Sequence, residues 1–277
     1  MPSAVMIVVL FALLCAPRSV LCAESATKEI RIGGTGTGLA TMKLLGQAFQ
    51  KEYPDIAITV YPSLGSVGGI KALLGGDVDI ALSSNDLTAA ERGQRLTAIE
   101  YAKTPFVFVT HDKNRISQIT LNQVVDIFNG KTTVWPDETP IRLILRHRGE
   151  TNTQILQSMS GAMRLAVQKS YSRSGLNMAI TDQENADLLE RLPGSFGTAT
   201  LCQLISENRA LNILALNGVK PSPRTLANGT YPYFRVLYFV TGPRSSLLVR
   251  QFLDFVFSPA GQSILTKTGH LVTKRPK

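Results

Sequence analysis

Cysteine is scarce in this 277-residue chain: Cys15 and Cys22 fall near the start, and Cys202 stands alone in the remainder. A fold stapled by disulfides is therefore excluded beyond residue 23. Cys202 has no motif around it and reads as a buried, inert thiol. Histidine is equally thin. His111, His147 and His270 share no metal-ligand spacing, and each reads as a surface or loop residue. No nucleophile elbow of the Gly-x-Ser-x-Gly type occurs; Ser66 comes nearest, in LGSVG, with Leu64 where the first glycine belongs. Acids are outnumbered, 20 against 29 Lys and Arg, giving a net charge of +9. Such a surplus favours anionic partners. The bases are scattered and lack the clustered arm and interleaved aromatics of a nucleic-acid surface, so nucleic acid is excluded as a partner. Beyond residue 16 no apolar run is long enough to cross a bilayer.

Residues 4–16, AVMIVVLFALLCA, are apolar but short, and are followed by Pro17, Arg18 and the small-residue site LCAES. This predicts a signal peptide over 1–23, cut after Ala23, and a periplasmic or secreted monomer.

The remainder alternates strand and helix patterns, with no repeat period. EIRIGG is a short strand, and LATMKLLGQAFQKEY carries Leu39, Met42, Leu45 and Phe49 at helical spacing. IAITVYP alternates as a strand, VGGIKALLGGD is a short helix ending in glycines, and VDIALSS suits a buried strand. Strand, helix, strand, helix, strand implies a parallel sheet and an α/β class. The grammar then repeats: TPFVFVT, a helix TLNQVVDIF opened by Thr120, the strand IRLILRH, and one long helix over NTQILQSMSGAMRLAVQK. A glycine turn is expected at LPGSFGTAT, a strand at LNILAL, a loop over 217–232, a strand FRVLYFVTG, and a last helix SLLVRQFLDFVFS.

In an open parallel sheet, ligands collect where the carboxyl ends of strands meet helix N-termini. GGTGTG, SLGSVGG, LSSND and HRGETN occupy those places. Four converging helix starts, each with unpaired amide hydrogens and a partial positive charge, make an anion cage without a metal or cofactor. Nucleotide motifs fail on spacing. A dinucleotide fingerprint from Gly34 and Gly36 needs a third glycine where Leu39 sits, and a P-loop needs Gly-Lys where Gly38 is followed by Leu39. No catalytic constellation is left, so the chain is not read as an enzyme.

GGTGTG, YPSLGSVGGIKALLGGDVDIALSS, VVDIFNGKTTVW, RHRGETNT and FVFSPAGQ together resemble the phosphate-binding, PstS-like branch of the periplasmic solute-binding proteins, over nearly the whole chain after residue 23. The resemblance implies an α/β Venus-flytrap fold: residues 24–108 plus 236–277 in one lobe, 109–235 in the other, joined by two crossing strands. It also implies capture of phosphate or a related small oxyanion for a membrane ABC permease or a receptor. Carried over by motif, the ligand would meet Thr35, Gly36 and Thr37 in the first turn, Ser66 in the second, Ser84 in the third, and Arg146 with Glu150, Thr151 and Asn152 in the fourth. Ser84 stands where the family has an aspartate that accepts the proton of hydrogen phosphate, and Glu150-Thr151-Asn152 where it has Ser-Gly-Thr.

Glu150 leaves three readings open. It points away as an ordinary helix-start acid; it replaces the missing aspartate; or, with Arg146 and Arg148, it reads a ligand of both signs. If the strand IRLILRH persists, Arg146 and Arg148 share a face with His147 opposite. Tyr231 and Arg235 either line the cleft or pack the hinge. The alternative function is a binding-protein fold kept as a sensory or protein-interaction module, its small-molecule site altered or lost.

Overall fold

The computed structural model describes residues 28–243 and 245–274, so the expected signal peptide and its cleavage site lie outside the described residues. Among these residues the strands are β1 Lys28–Gly34, β2 Ile56–Ser63, β3 Ile80–Ser83, β4 Thr97–His111, β5 Gln118–Ile119, β6 Arg142–Arg146, β7 Asn177–Ala179, β8 Ser195–Thr200, β9 Leu211–Ile213, β10 Ala215–Leu216, β11 Phe234–Thr241 and β12 Leu271–Val272. The helices are α1 Gly36–Glu52, α2 Gly65–Gly75, α3 Ala89–Gly93, α4 Leu121–Asn129, α5 Thr151–Met159, α6 Gly161–Ser170, α7 Asp182–Arg191, α8 Leu201–Ser206, α9 Pro223–Ala227, α10 Leu247–Phe257 and α11 Pro259–Lys267.

The strands follow one another across the molecule in the order β2-β1-β3-β11-β4-β8-β6-β7, with β9 and β12 also on β4. β1 runs parallel to β2 and β3, and β6 runs parallel to β7 and β8. The two parallel groups are joined by antiparallel β11 and β4. β4 pairs with β11 from Thr97 to Pro105 and with β8 from Phe106 to Thr110. Its partner changes at Phe106, whose N–H donates to the Tyr233 carbonyl.

Each group buries its own core. Ile30, Ile32, Met42, Phe49, Leu237, Phe239 and Phe252 pack in the first lobe. Phe106, Phe108, Trp135, Leu143, Phe196 and Tyr231 pack in the second. The helical spacing read in α1 is met, since Leu39, Met42, Leu45 and Phe49 are all buried. Thr120 opens α4 through a reciprocal capping box with Gln123.

Four expectations are corrected. LPGSFGTAT contains β8, all six residues of which are buried. A strand covered on both faces shows no alternation, and the turn is confined to Gly194 with φ of +73°. The long helix is two, because Ser160 adopts an extended backbone and its Oγ accepts from Met163 N–H, ending α5 and capping α6. SLLVRQFLDFVFS is not the last helix: Ser258 caps α11, with Pro259 in its first turn. The loop over 217–232 contains α9, opened by Ser222 and Pro223 in the same manner.

LNILAL also divides, β9 pairing with β4 and β10 with β5. His270, expected at the surface or in a loop, lies in a loop but is buried, and so is His111; His147 is exposed. His270 Nδ1 lies 3.0 Å from the Leu265 carbonyl, and burial pulls its pKa down to about 4. Cys202 is buried, and desolvation raises its thiol to about 11, which keeps it protonated and inert.

Candidate functional site

The first wall of the site is built where β1, β2 and β3 end. Gly34 leaves β1 with φ of +136°, so close to the Leu82 backbone that a Cβ would fall 2.2 Å from its carbonyl oxygen. Thr35 then caps α1 in an extended conformation. Gly65, with φ of +68°, starts α2 and presents Ser66. The hydroxyls meet: Ser84 N–H donates to Ser66 Oγ at 3.0 Å, and Ser84 Oγ lies 3.2 Å from Thr35 Oγ1. This wall carries amides and hydroxyls and no charge.

The second wall is charged. β6 ends at Arg146, which is buried; its carbonyl accepts from Tyr171 Oη–H at 2.6 Å. Glu150 caps α5, accepting Asn152 N–H at 2.7 Å on Oε2. Its Oε1 faces inward and accepts from Arg235 Nη2 at 2.7 Å, with Arg146 Nη2 at 3.4 Å. Of the three readings of Glu150, orientation toward solvent is overturned. Thr151 lines the open part of the cleft, and Asn152 is buried with Oδ1 accepting from Arg235 Nη2 at 2.7 Å.

Arg235, on β11 between the walls, is the largest fully buried side chain among the described residues. Besides Glu150 and Asn152 it donates to Thr37 Oγ1 and lies 3.4 Å from Asp182 Oδ2. Desolvation opposes its charge, but Glu150 and Asp182 outweigh that and raise its pKa. Of the two roles read for Arg235 and Tyr231, lining the open cleft fits neither directly: Arg235 is fully buried behind it, paired with Glu150 and Asp182, which do line it. Tyr231 packs in the second core, its hydroxyl donating to the Phe106 carbonyl at 2.7 Å.

Asp182, which no motif reading singled out, completes the cluster. Its Oδ2 accepts Thr37 N–H at 2.9 Å and Thr37 Oγ1–H at 3.2 Å, and its Oδ1 lies 3.3 Å from Arg146 Nη2. Burial pushes this carboxyl upward, yet Arg235, Arg146 and the Thr37 donors prevail and hold it below the usual carboxylate range. Arg146 also donates to the Thr181 carbonyl. The available signal was the stretch TDQE: Thr181 caps α7, accepting Glu184 N–H at 3.0 Å, so a helix start at Asp182 was legible.

Of the residues expected at the ligand, Thr35, Ser66, Arg146, Glu150 and Thr151 line one cleft between the lobes, while Gly36, Thr37, Ser84 and Asn152 are buried behind it. An open volume of about 470 Å³ remains there, lined by Thr35, Ser66, Arg146, Glu150, Thr151 and Asp182. Arg148 is not part of it. β6 stops at Arg146, and the Arg148 guanidinium lies over the Tyr171 ring at 4.3 Å, on the surface.

Residues 23–260 match the PBP superfamily domain. The phosphate-binding protein PstS of Borreliella burgdorferi is 26% identical over 257 residues, covering 89% of this chain and 91% of the relative. PstS of Bacillus subtilis is 24% identical over 258 residues, covering 90% and 82%. Among solved structures, a substrate-binding protein assigned to phosphate ABC transport in Clostridium perfringens, with bound phosphate, superposes with a TM-score of 0.75 at 23% identity, covering 89% of this chain and all of that one. The chain belongs to the PBP superfamily and has the two-lobed fold of its PstS-like, type II members.

Proposed function

We propose that the protein captures phosphate, or a related small oxyanion, in this cleft and delivers it to a membrane ABC permease from outside the cytoplasm. The observation that carries the reading is the donor set at the cleft. The Thr35 and Ser66 hydroxyls and the Arg146 guanidinium line one space, with Ser84 hydrogen-bonded to Thr35 and the Thr37 amide to Asp182 directly behind it. Helix-start amides and a forked guanidinium are the groups that hold a tetrahedral anion with charge-assisted hydrogen bonds. The relatives named as phosphate-binding proteins support phosphate among the oxyanions. In this reading the lobes are 24–108 plus 236–277 and 109–235, and they hinge about β4 and β11 as the ligand is enclosed.

A second reading rests on one observation. Glu150 and Asp182 already face both guanidiniums, as expected of a binding-protein fold whose small-molecule site is altered and which serves sensing or partner docking. Calorimetric titration with phosphate and sulfate separates the two. The transport reading expects wild-type protein to bind phosphate and Arg146→Ala to lose about 2–5 kcal/mol of binding, the range for truncating one partner of a buried charge pair. Wild-type protein that binds neither anion at any pH tested selects the second reading.

A further inference from the structure

We propose that Asp182 is a built-in occupant of the oxyanion cage: a carboxylate of the second lobe that holds the ligand-free cleft shut and that an arriving anion must displace. The inference rests on the cleft being an oxyanion site. Asp182 belongs to α7 in the second lobe, while its Oδ2 accepts from Thr37 N–H and Oγ1–H at the start of α1 in the first. Its other oxygen faces Arg146, and Arg235 lies against Oδ2. One amide, one hydroxyl and two guanidiniums therefore converge on this carboxylate, and they are the donors that an exogenous oxyanion would need.

The placement is specific to Asp182. Glu150, the other acid of the cluster, spends one oxygen capping its own helix. At α7 the cap is Thr181, so Asp182 is released from that task and both its oxygens serve the cleft. Gln183 completes the seam by donating from Nε2 to the Gly36 carbonyl at 3.0 Å. The two helix starts approach so closely that a Cβ on Gly36 would lie 2.4 Å from Gln183 Oε1 and 2.9 Å from Asp182 Cβ. A side chain at Gly36 would force this seam apart.

A divalent oxyanion and the Asp182 carboxylate cannot share these donors, because like charges repel strongly in a water-poor cleft. Binding then requires the fraction of molecules in which Asp182 has let go, and apparent affinity is reduced by that fraction. Asp182 thereby sets the affinity threshold of the site.

Asp182→Ala tests this with two readouts. By solution scattering, ligand-free wild-type protein should be as compact as protein saturated with phosphate. Ligand-free Asp182→Ala should be wider and should close again in formate, a free carboxylate that refills the vacated position. By calorimetry, the variant should bind phosphate about tenfold tighter or more. Should Asp182→Ala not fold, the near-isosteric Asp182→Asn carries the same expectations for width and affinity. A variant as compact as wild type without formate overturns the proposal. So does a variant that binds phosphate more weakly, which would make Asp182 the acceptor of the phosphate proton instead. If wild type and variant bind neither phosphate nor sulfate, the ligand reading falls, and the scattering comparison alone still decides whether Asp182 holds the cleft closed.

Discussion

The two walls of the cleft solve the problem of holding an anion in different ways. The wall formed at the ends of β1, β2 and β3 offers the hydroxyls of Thr35, Ser66 and Ser84, which cost little to keep because they hydrogen-bond one another or the backbone, and the amide and hydroxyl of Thr37, which Asp182 occupies. The wall formed by β6, α5, α7 and β11 holds full charges, Arg146 and Arg235 against Glu150 and Asp182. Guanidiniums buried without counter-charges would be strongly unfavourable, so a site that stores two of them between ligands must also store acids. Apart from Thr37, which Asp182 occupies, the neutral wall is free of any acid. The charged wall is ready only when its acids give way.

The largest effect expected from breaking this contrast is at Arg235. Arg235→Ala leaves Glu150, Asn152 and Asp182 without their shared donor, and should lower the stability measured by urea unfolding by about 3–5 kcal/mol. Arg235→Lys should restore only part, because a point ammonium does not reproduce the fork. A loss below about 1 kcal/mol for the alanine variant would mean that the charged wall is not interlocked.

Acid sharpens the comparison. His270, in the first lobe, titrates near 4 when folded and near 6.5 when unfolded, so the unfolded chain takes up more protons between those values and stability falls as pH drops through that window. The loss from pH 7 to pH 4 should be about 3 kcal/mol and should largely vanish in His270→Phe. The charged wall behaves differently, since the Asp182 carboxyl is held below its ordinary range and its contribution is lost only at still lower pH. An undiminished slope in His270→Phe would show that His270 is not the source of the loss between pH 7 and pH 4.

Thr37→Val removes the hydroxyl that links the walls, accepting from Arg235 and donating to Asp182. It should cost about 2 kcal/mol by thermal unfolding, as hydrogen bonds to charged groups do. Arg148→Ala is the smallest change, under about 1 kcal/mol, since only a surface stacking on Tyr171 is lost. A phosphate affinity that follows Arg148 and not Arg146 would reverse the assignment of the two arginines.

How much of this was legible in the sequence follows the same division. The neutral wall is local: a strand, a glycine turn and a helix start lie within a few residues of each other, and GGTGTG and SLGSVGG announce them. The helices behind it were equally plain, with Leu39, Met42, Leu45 and Phe49 spaced to face one core. The charged wall is assembled across about ninety residues, from Arg146 and Glu150 through Asp182 to Arg235; TDQE marks Asp182 as a helix start but nothing in the sequence places it against Thr37, Arg146 or Arg235. β8 was read as a turn because full burial erased its alternation, and the division at Ser160 was hidden because apolar residues on both sides keep a helical spacing. The glycine turns pointed to a small anion, and the resemblance to phosphate-binding proteins rested on the longer motifs VVDIFNGKTTVW and FVFSPAGQ. What opposes the ligand became visible only when the chain was folded.

The most direct measurement is a crystal structure of the wild-type protein grown with arsenate, a tetrahedral stand-in for phosphate whose arsenic can be located by anomalous scattering. One strong peak is expected within hydrogen-bonding reach of Thr37 N–H and the Arg146 guanidinium, with the Asp182 carboxylate moved off Thr37. A cleft without arsenic, with Asp182 still seated on Thr37 at saturating arsenate, would contradict it.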